Sequence, residues 1–463
     1  MKQTNWAVLN HFKYLYLQRL SPIPLNFNLK PNLVLEKNNN RLINAWASYD
    51  WSNSVYNLIV TSAIFPIYYS SATEAAFGSD IVEFFGISIK NTVLYTYAIS
   101  LSFLVIVFLS PILSGIADYS GLKKRFMQGF TYLGSLACMG LYFFDGHNVG
   151  YGIGCSILAS IGYAGSLVFY NGFLPEVASI DRMDKVSAKG FAMGYTGSVI
   201  LLIANLILLL NPESFGFDNK TAATKFGFIL VGAWWIGFSQ IAFFYLKDKP
   251  TNNSISIKIL GNGIAELKKV FVGVRKKIVL NRFLFAFFFF SMGVQTVMLL
   301  APLFGEKEIG MEADEMILVV LILQILAIVG AYLLAWVSKI KGNGFALSTN
   351  LIIWIFICII SYFLKDKISF YVLAALLGFV MGGIQSISRS TYSKLIPVET
   401  RDTASYFSFY DITEKLAIVI GTFSYGFIEQ NTGSMRNSIL FLALFFIVGF
   451  IVLQTAQLKK NMT

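Results

Sequence analysis

The chain has 463 residues, of which 56% are hydrophobic and 13% charged, with a mean hydropathy of +0.64 and a formal net charge of +11. A soluble globular domain carries about 25% charged residues, so repeated apolar runs of about 20 residues place this chain in a bilayer. His11 and His147, with Cys138, Cys155 and Cys358 inside apolar runs, offer neither metal-ligand spacing nor a disulfide framework, so no metal and no cofactor are expected.

Residues 1–43 form an N-terminal arm rich in Pro22, Pro24, Pro31 and the Asn38-Asn39-Asn40 run. It lacks the continuous apolar core and small-residue cleavage site of a signal peptide. Residues 6–20 read either as a short amphipathic surface helix or as a disordered tail.

The first span, residues 44–69, sets the theme. It is long enough to cross a bilayer yet carries Asp50 among Trp46, Tyr49 and Trp51, with Asn53, Asn57 and Thr61 following at helical spacing. A carboxylate at mid-helix costs roughly 3 kcal/mol on insertion scales, so this stripe needs protein or a water-filled cavity to face. Eleven further spans follow at about 92–117, 126–144, 150–174, 188–210, 226–246, 281–304, 316–337, 345–364, 369–393, 404–428 and 437–457. The loops on the side of the N-terminus, with both tails, hold 27 of the 36 Lys and Arg, whereas the opposite loops hold Lys90, Lys220, Lys225, Lys307, Lys365, Lys367 and Arg436. Cytoplasmic loops are the basic ones, so both termini are expected in the cytoplasm. The basic excess is therefore an orientation signal and not a nucleic-acid footprint.

Six spans (44–246) and six spans (281–457) flank a middle loop, 247–280, and residues 458–463 form a cytoplasmic tail. In that loop Ile264, Leu267, Phe271, Val274 and Ile278 recur at helical spacing opposite Lys268, Lys269, Arg275, Lys276 and Lys277. The pattern predicts a helix on an anionic membrane face, with a solvated linker helix as the alternative. The pairs Gly190/Gly194 and Gly378/Gly382 permit close helix approach and read as packing more readily than as gating.

Several polar constellations stand out. Between spans 2 and 3, SGIADYSGLKKR (114–125) places Asp118 and Gly121 at a tight turn before Lys123, Lys124 and Arg125. A carboxylate there can accept from the N-terminus of a neighbouring helix and latch one conformation. The corresponding Ser338-Lys339-Ile340-Lys341-Gly342 lacks an aspartate, so a one-sided latch is expected. Glu176 follows Pro175 at the end of span 4, either in an intracellular gate or in headgroup water. Gln385, Arg389 and Tyr392 share a face of span 10. On span 11, beside Tyr410, Asp411 and Lys415 have the spacing of a local ion pair, leaving Glu414 to pair with Arg389. Gln295 and Gln324 are single polar residues in apolar surroundings. No nucleophile–base pair and no Walker motif stand out, so neither an enzyme nor a directly ATP-driven pump is expected.

The six-plus-six layout and the 114–125 turn resemble the major facilitator superfamily, although Ser114, Tyr119 and Leu122 depart from that family's usual turn. WASYDWSNSVY (46–56), FYNGFLPEV (169–177), SAKGFAMGYTGS (187–198), GGIQSISRSTYSKLIP (382–397) and FSFYDITEKLAIVIG (407–421) are similar to the vacuolar amino-acid effluxer branch, which has many bacterial members. The resemblance implies an all-α membrane protein with twelve transmembrane helices in two six-helix bundles. It also implies a secondary transporter using alternating access, with amino acids leaving the vacuole as the cargo in fungal members. The expected function is movement of a small polar solute, amino acids among the candidates, with protons as the candidate coupling ion. The alternatives are a sugar, peptide or drug transporter and, more remotely, a membrane enzyme or receptor. Candidate substrate or coupling residues are Asp50, Asn53, Tyr56, Asn57, Gln385, Arg389, Tyr410, Asp411, Glu414 and Lys415. The cytoplasmic gate and loop set is Asp118, Gly121, Lys123, Lys124, Arg125 and Glu176. The expected partners are a small-molecule solute, protons and the lipid bilayer, with no nucleic acid and a monomeric chain. The expected location is the cell membrane, or the vacuolar membrane in a fungus.

Overall fold

The structure, a computed structural model, describes residues 37–251 and 259–458; the helix considered for residues 6–20 lies outside them. The first span begins at Asn40, earlier than the expected residue 44, as α1 (Asn40–Val55). It continues as a π-helical stretch (Tyr56–Ala63) into α2 (Phe65–Phe77). The cause of the break is local. Pro66 has no N–H and its ring crowds the preceding turn, so the helix widens there and the Ile64 N–H donates to the Ile59 carbonyl at 2.8 Å.

A short hairpin, β1 (Ile81–Phe84) and β2 (Ile87–Lys90), follows in antiparallel register, turning through Phe85 and Gly86, both at positive φ. This small exception to an all-helical chain was not expected from the sequence, because four-residue strands in a loop carry too little alternation to read.

The remaining elements are α3 (Asn91–Ser120), α4 (Lys123–Gly140), α5 (Val149–Gly172), α6 (Leu174–Val177), α7 (Met183–Leu210), α8 (Lys220–Tyr245), α9 (Ile259–Lys276), α10 (Ile278–Ile309), α11 (Ala313–Lys341), α12 (Asn343–Phe363), α13 (Lys367–Leu395), α14 (Thr403–Thr432) and α15 (Met435–Thr455). Among the described residues nine helices are long and apolar enough to cross a membrane. The other three expected spans have visible reasons to fall short: the first is broken, α4 opens on Lys123, Lys124 and Arg125, and α14 carries Asp411, Glu414 and Lys415. The architecture is consistent with twelve spans.

In the first half α1 packs on α7 and α8, and α4 on α5 and α8; in the second, α11 packs on α13, and α10 on α14 and α15. The halves meet where α7 lies against α11 and α13, and where α14 lies against α3 and α5. The end of the seam beside the basic loops is called the basic face below.

The basic linker is pinned rather than loose. Lys249 and Thr251 donate backbone N–H bonds to Gly121 and Ser120 at 3.0 and 3.1 Å. Helix α9 then packs on α3, burying Val270 and Val274, while Phe271 meets Phe409 of α14 at 5.9 Å. Lys269 pairs with Glu266 at 2.5 Å and with Asp402 at 3.0 Å, and those hydrogen bonds hold its ammonium above its ordinary pKa. Ile264, Phe271 and Ile278 stay at least half exposed, so the apolar stripe is divided between the protein and its surroundings.

The glycine pair on α13 serves packing. A Cβ on Gly378 would lie 2.8 Å from the Leu323 Cα, and one on Gly382 would lie 2.6 Å from the Ala327 carbonyl carbon. Gly330 on α11 reciprocates, with Phe379 backbone just as near. Gly382→Val should therefore overpack this contact and cost on the order of 1–3 kcal/mol, read as a lowered thermal midpoint of the detergent-purified protein. An unchanged midpoint would mean that α11 and α13 do not approach so closely.

Candidate functional site

The centre of the seam is one buried ion pair. Asp50 of α1 and Arg389 of α13 are 5% and 3% exposed, and Arg389 Nη1 donates to Asp50 Oδ2 at 3.0 Å. The guanidinium is almost fully engaged. Nε donates to Ser187 Oγ at 3.0 Å, Nη2 to the Ser187 carbonyl at 2.9 Å, and Nη1 also to Asn171 Oδ1 at 3.4 Å. Its plane rests on Phe191 at 4.0 Å, with Trp46 at 4.9 Å and Tyr170 at 5.5 Å. The Tyr170 hydroxyl donates to Asp50 Oδ2 at 2.8 Å. Gly190 explains how α7 fits: a Cβ there would lie 2.8 Å from Arg389 Nη2 and 3.0 Å from the Tyr170 hydroxyl.

The pairing of Arg389 with Glu414 expected from the sequence is therefore corrected. Arg389 reaches across the seam to α1 and α7, whereas Glu414 accepts from Gln295 Nε2 on α10 at 3.0 Å and sits 3.4 Å from Lys415. Lys415 is 3.6 Å from Asp411, and its Nζ lies over the Phe103 ring of α3 at 5.5 Å.

Three contacts bridge the halves at the basic face. Asp118, at the end of α3, accepts from the N–H groups of Ala404 and Ser405 at 3.2 and 2.7 Å, placing a carboxylate at the N-terminus of α14. Gly121 is left-handed at the end of α3, the conformation that closes a helix at no steric cost to glycine. Lys123 is buried. It donates to Glu176 at 2.5 Å, to the Gly172 carbonyl at 3.2 Å and to Thr403 across the seam. Glu176 also pairs with Lys249 at 2.6 Å, so its partners lie in its own half and the linker; Lys123 makes the crossing to α14. Lys124 and Arg125 turn to Asp248, which accepts the Lys124 N–H at 2.6 Å and lies 3.8 Å from Arg125 Nε. Burial raises the Asp248 carboxyl above its ordinary pKa, against the pull of that N–H and of the Lys124 and Arg125 charges.

The third contact corrects the one-sided latch. Asp184, in the first turn of α7, accepts from Ser338 at 2.8 Å, Asn343 at 2.9 Å and Lys394 at 2.6 Å. The carboxylate missing after α11 is supplied from the opposite half. Sequence reading passed over Asp184 because an acid within DRMDK looks like a solvated loop. Ser187 and Asn171 were missed as partners because a serine or asparagine in a membrane helix gives no directional signal.

The other candidates divide. Asn57 is exposed and Gln385 half-buried, its Oε1 accepting from Tyr195 across the seam. Asn53 is buried, and its Nδ2 has no partner. Tyr56 packs between Tyr163 and Trp235 of the first half at 5.1 and 5.7 Å. Tyr410 stacks on Phe287 at 4.2 Å. Tyr392 of α13 donates to the Tyr406 carbonyl at 2.5 Å.

Long apolar helices, with the buried charges of the described residues gathered where α7 and α14 meet helices of the opposite half, are the arrangement of a multi-pass membrane transporter of the major facilitator type. The model of the family described as "Vacuole effluxer Atg22 like" matches residues 38–463, and the chain belongs to that family. An uncharacterised MFS-type transporter of Bacillus subtilis is 30% identical, covering 89% of this chain and 93% of its own length. The autophagy-related protein 22 of Eremothecium gossypii is 24% identical over 91% of this chain and 92% of its own. Among solved structures, the transporter FucP in its outward conformation superposes with a TM-score of 0.65 at 14% identity, over 90% of this chain and 98% of that one.

Removing one partner of a buried pair strands the other charge. Asp50→Ala should destabilise the protein by roughly 3–5 kcal/mol, and adding Arg389→Met should restore much of that loss. Thermal midpoints of the single and double variants check this; equal losses in Asp50→Ala and the double variant would disprove the pairing.

Proposed function

We propose that the protein is a secondary transporter that moves a small polar solute by alternating access, and that the structure is its outward-facing state. The observation that carries this reading is the distribution of cross-seam bonds. Asp118–α14, Lys123–Thr403, Asp184–Lys394 and Asp50–Arg389 gather at the basic face and mid-seam, while Asn57, on the outer side of Asp50, stands exposed. Basic loops are cytoplasmic loops, so the closed end faces the cytoplasm, with both termini there and the chain in the cell membrane or, in a fungal host, the vacuolar membrane.

In this reading residues 44–246 and 281–457 move as two bundles, and inward opening requires all four contacts to break together. Arg389 has most of its donors occupied, which favours a conformational lock over an anchor for a solute carboxylate. The family's vacuole-effluxer description favours export toward the cytoplasm as direction, and the resemblance to the vacuolar amino-acid effluxer branch makes amino acids the proposed cargo. Asn57, Gln385 and Glu414 are the polar groups left partly open to meet a solute. Protons are the proposed coupling ion, because carboxylates inside the seam can change charge as they exchange between water and protein.

Two measurements test this. Proteoliposomes holding the wild type should accumulate at least one radiolabelled amino acid under an imposed pH gradient, and Asp50→Asn should reduce that flux at least ~10-fold, the scale of a 1.4 kcal/mol change; no flux for any amino acid in the wild type would overturn the reading. Independently, a cysteine at Ser408, which is buried, should be protected from impermeant maleimide applied from the cytoplasmic side. Asp118→Asn combined with Asp184→Asn should raise its labelling severalfold, and unchanged labelling would mean that these contacts do not hold the inner gate.

A further inference from the structure

The two buried charge clusters differ in balance. Asp50 and Arg389 cancel. The second cluster, on α14, sets two carboxylates, Asp411 and Glu414, against one cation, Lys415, and so carries a surplus negative charge. Its bonds are also loose: Lys415 sits 3.6 and 3.4 Å from the two acids, whereas a charge-assisted bond is typically 2.7–2.9 Å and Lys394 reaches Asp184 at 2.6 Å. Asp411 is 4% exposed, and its Oδ2 has no hydrogen-bond partner. Glu414 keeps about a quarter of its side chain exposed, giving access from solvent. A structural ion cluster would balance its charges and satisfy its oxygens; this one does neither.

The groups around the cluster do not supply the missing charge. Gln295 of α10 donates a neutral amide, and α3 contributes the Phe103 ring on Lys415. Tyr163 of α5 and Tyr410 of α14 are the neighbouring titratable groups, with Glu414 acting electrostatically on both. Asp50 acts on Tyr163, and Arg389 on Tyr410, but those two charges are spent on each other.

We propose that Asp411, Glu414 and Lys415, with Gln295, form a site for one added monovalent positive charge, separate from the Asp50–Arg389 lock. The proposal rests on the transport reading and assigns that charge to a place in it. Three sources share the chemistry: a proton, a sodium ion, or the ammonium group of the solute. Lys415 sets the surplus at one, so a single positive charge neutralises the cluster.

The test needs no known solute. Thermal midpoints of the full-length protein in detergent are measured from pH ~9 to ~5, with sodium chloride against choline chloride at equal ionic strength, and with methylammonium chloride as an ammonium probe. A site that takes up a cation in the folded state raises the midpoint as that cation becomes available. The wild type should respond to at least one of the three by a few degrees, on the order of 2–6 °C, and the responding probe identifies the source. Glu414→Gln and Asp411→Asn, either of which removes the surplus, should abolish the response. Lys415→Gln doubles the surplus and should enlarge it. Should one acid variant fail to fold, the other and Lys415→Gln still read opposite directions. Responses that are the same in the wild type and all three variants would overturn the proposal, as would a response that Lys415→Gln diminishes. Solute flux without any cation response would sink the proposal and leave the transport reading standing; a cation response without flux for any solute would do the reverse.

Discussion

Everything in the seam follows from the difficulty of keeping charge away from water. An ion moved into a low-dielectric interior loses several kcal/mol of hydration even after relaxation, and only a well-placed partner with further hydrogen bonds recovers it. Asp50 and Arg389 meet that condition, bonded to each other and to three further side chains and one carbonyl around them. Because Asp50 belongs to one half and Arg389 to the other, the pair exists only while the halves are closed at this level. Separating them exposes both charges, which must be hydrated at once. If the halves part as the proposed alternating access requires, the same pair makes an intermediate, half-open dry state costly and favours movement between two well-defined states.

The basic face is closed with a twist in its symmetry. On one side of the seam the acid ends a helix, Asp118 on α3, and faces the N-terminus of α14. On the other side the acid starts a helix, Asp184 on α7, and faces the ends of α11 and α13 and the start of α12. Both acids come from the first half. The second half answers with backbone N–H groups at one corner and with Lys394, Asn343 and Ser338 at the other. The first half is thus the acidic partner at both corners, and the linker adds to this closure through Lys249–Glu176 and Lys269–Asp402.

The membrane-helical character of the chain and the chemistry of the seam were legible in the sequence to different degrees. Apolar runs and the alternation of basic loops mark the spans, because hydropathy reports directly what a segment of about 20 residues can cross. Asp50, Arg389, Asp411, Glu414 and Lys415 stand out because a charge in an apolar run is costly wherever it points. Partner choice is not legible in the same way. Glu414 and Arg389 lie on consecutive expected spans and look like neighbours, yet α13 contacts α7 across the seam while α14 packs on α3, α5 and α10. That three-dimensional ordering has no local signature. Asp184 was hidden for the opposite reason, since a loop acid among basic residues is cheap in water and gives no sign that the fold buries it. The π-helical break in the first span was visible only as Pro66, whose effect falls on the turn before it.

That break separates two tasks on one helix. Asp50, in α1, is tied to the inner lock by Arg389 and Tyr170. Asn57 lies in the widened stretch Tyr56–Ala63 and faces open space. A regular helix would transmit any displacement at Asn57 straight to Asp50 two turns away. The π-helical stretch replaces the regular ladder with wider hydrogen-bonded rings, so in the proposed cycle the outer part of the span could yield to a solute before the inner part moves. The Asp411–Glu414–Lys415 cluster on α14 meets the first half through the Phe103 ring of α3, while Gln295 of α10 holds Glu414 within its own half. Charge arriving there acts partly through protein interior, which screens it less than bulk water does. In the proposed alternating-access cycle, neutralising a surplus of one charge lowers the cost of bringing the halves together beside the cluster, and closure on that side precedes opening at the basic face. In the proposed cycle the lock, the loosened turn and the unbalanced cluster would act in order: charge and solute arriving at the cluster and the widened turn come first, and Asp50 and Arg389 separate into water only afterwards.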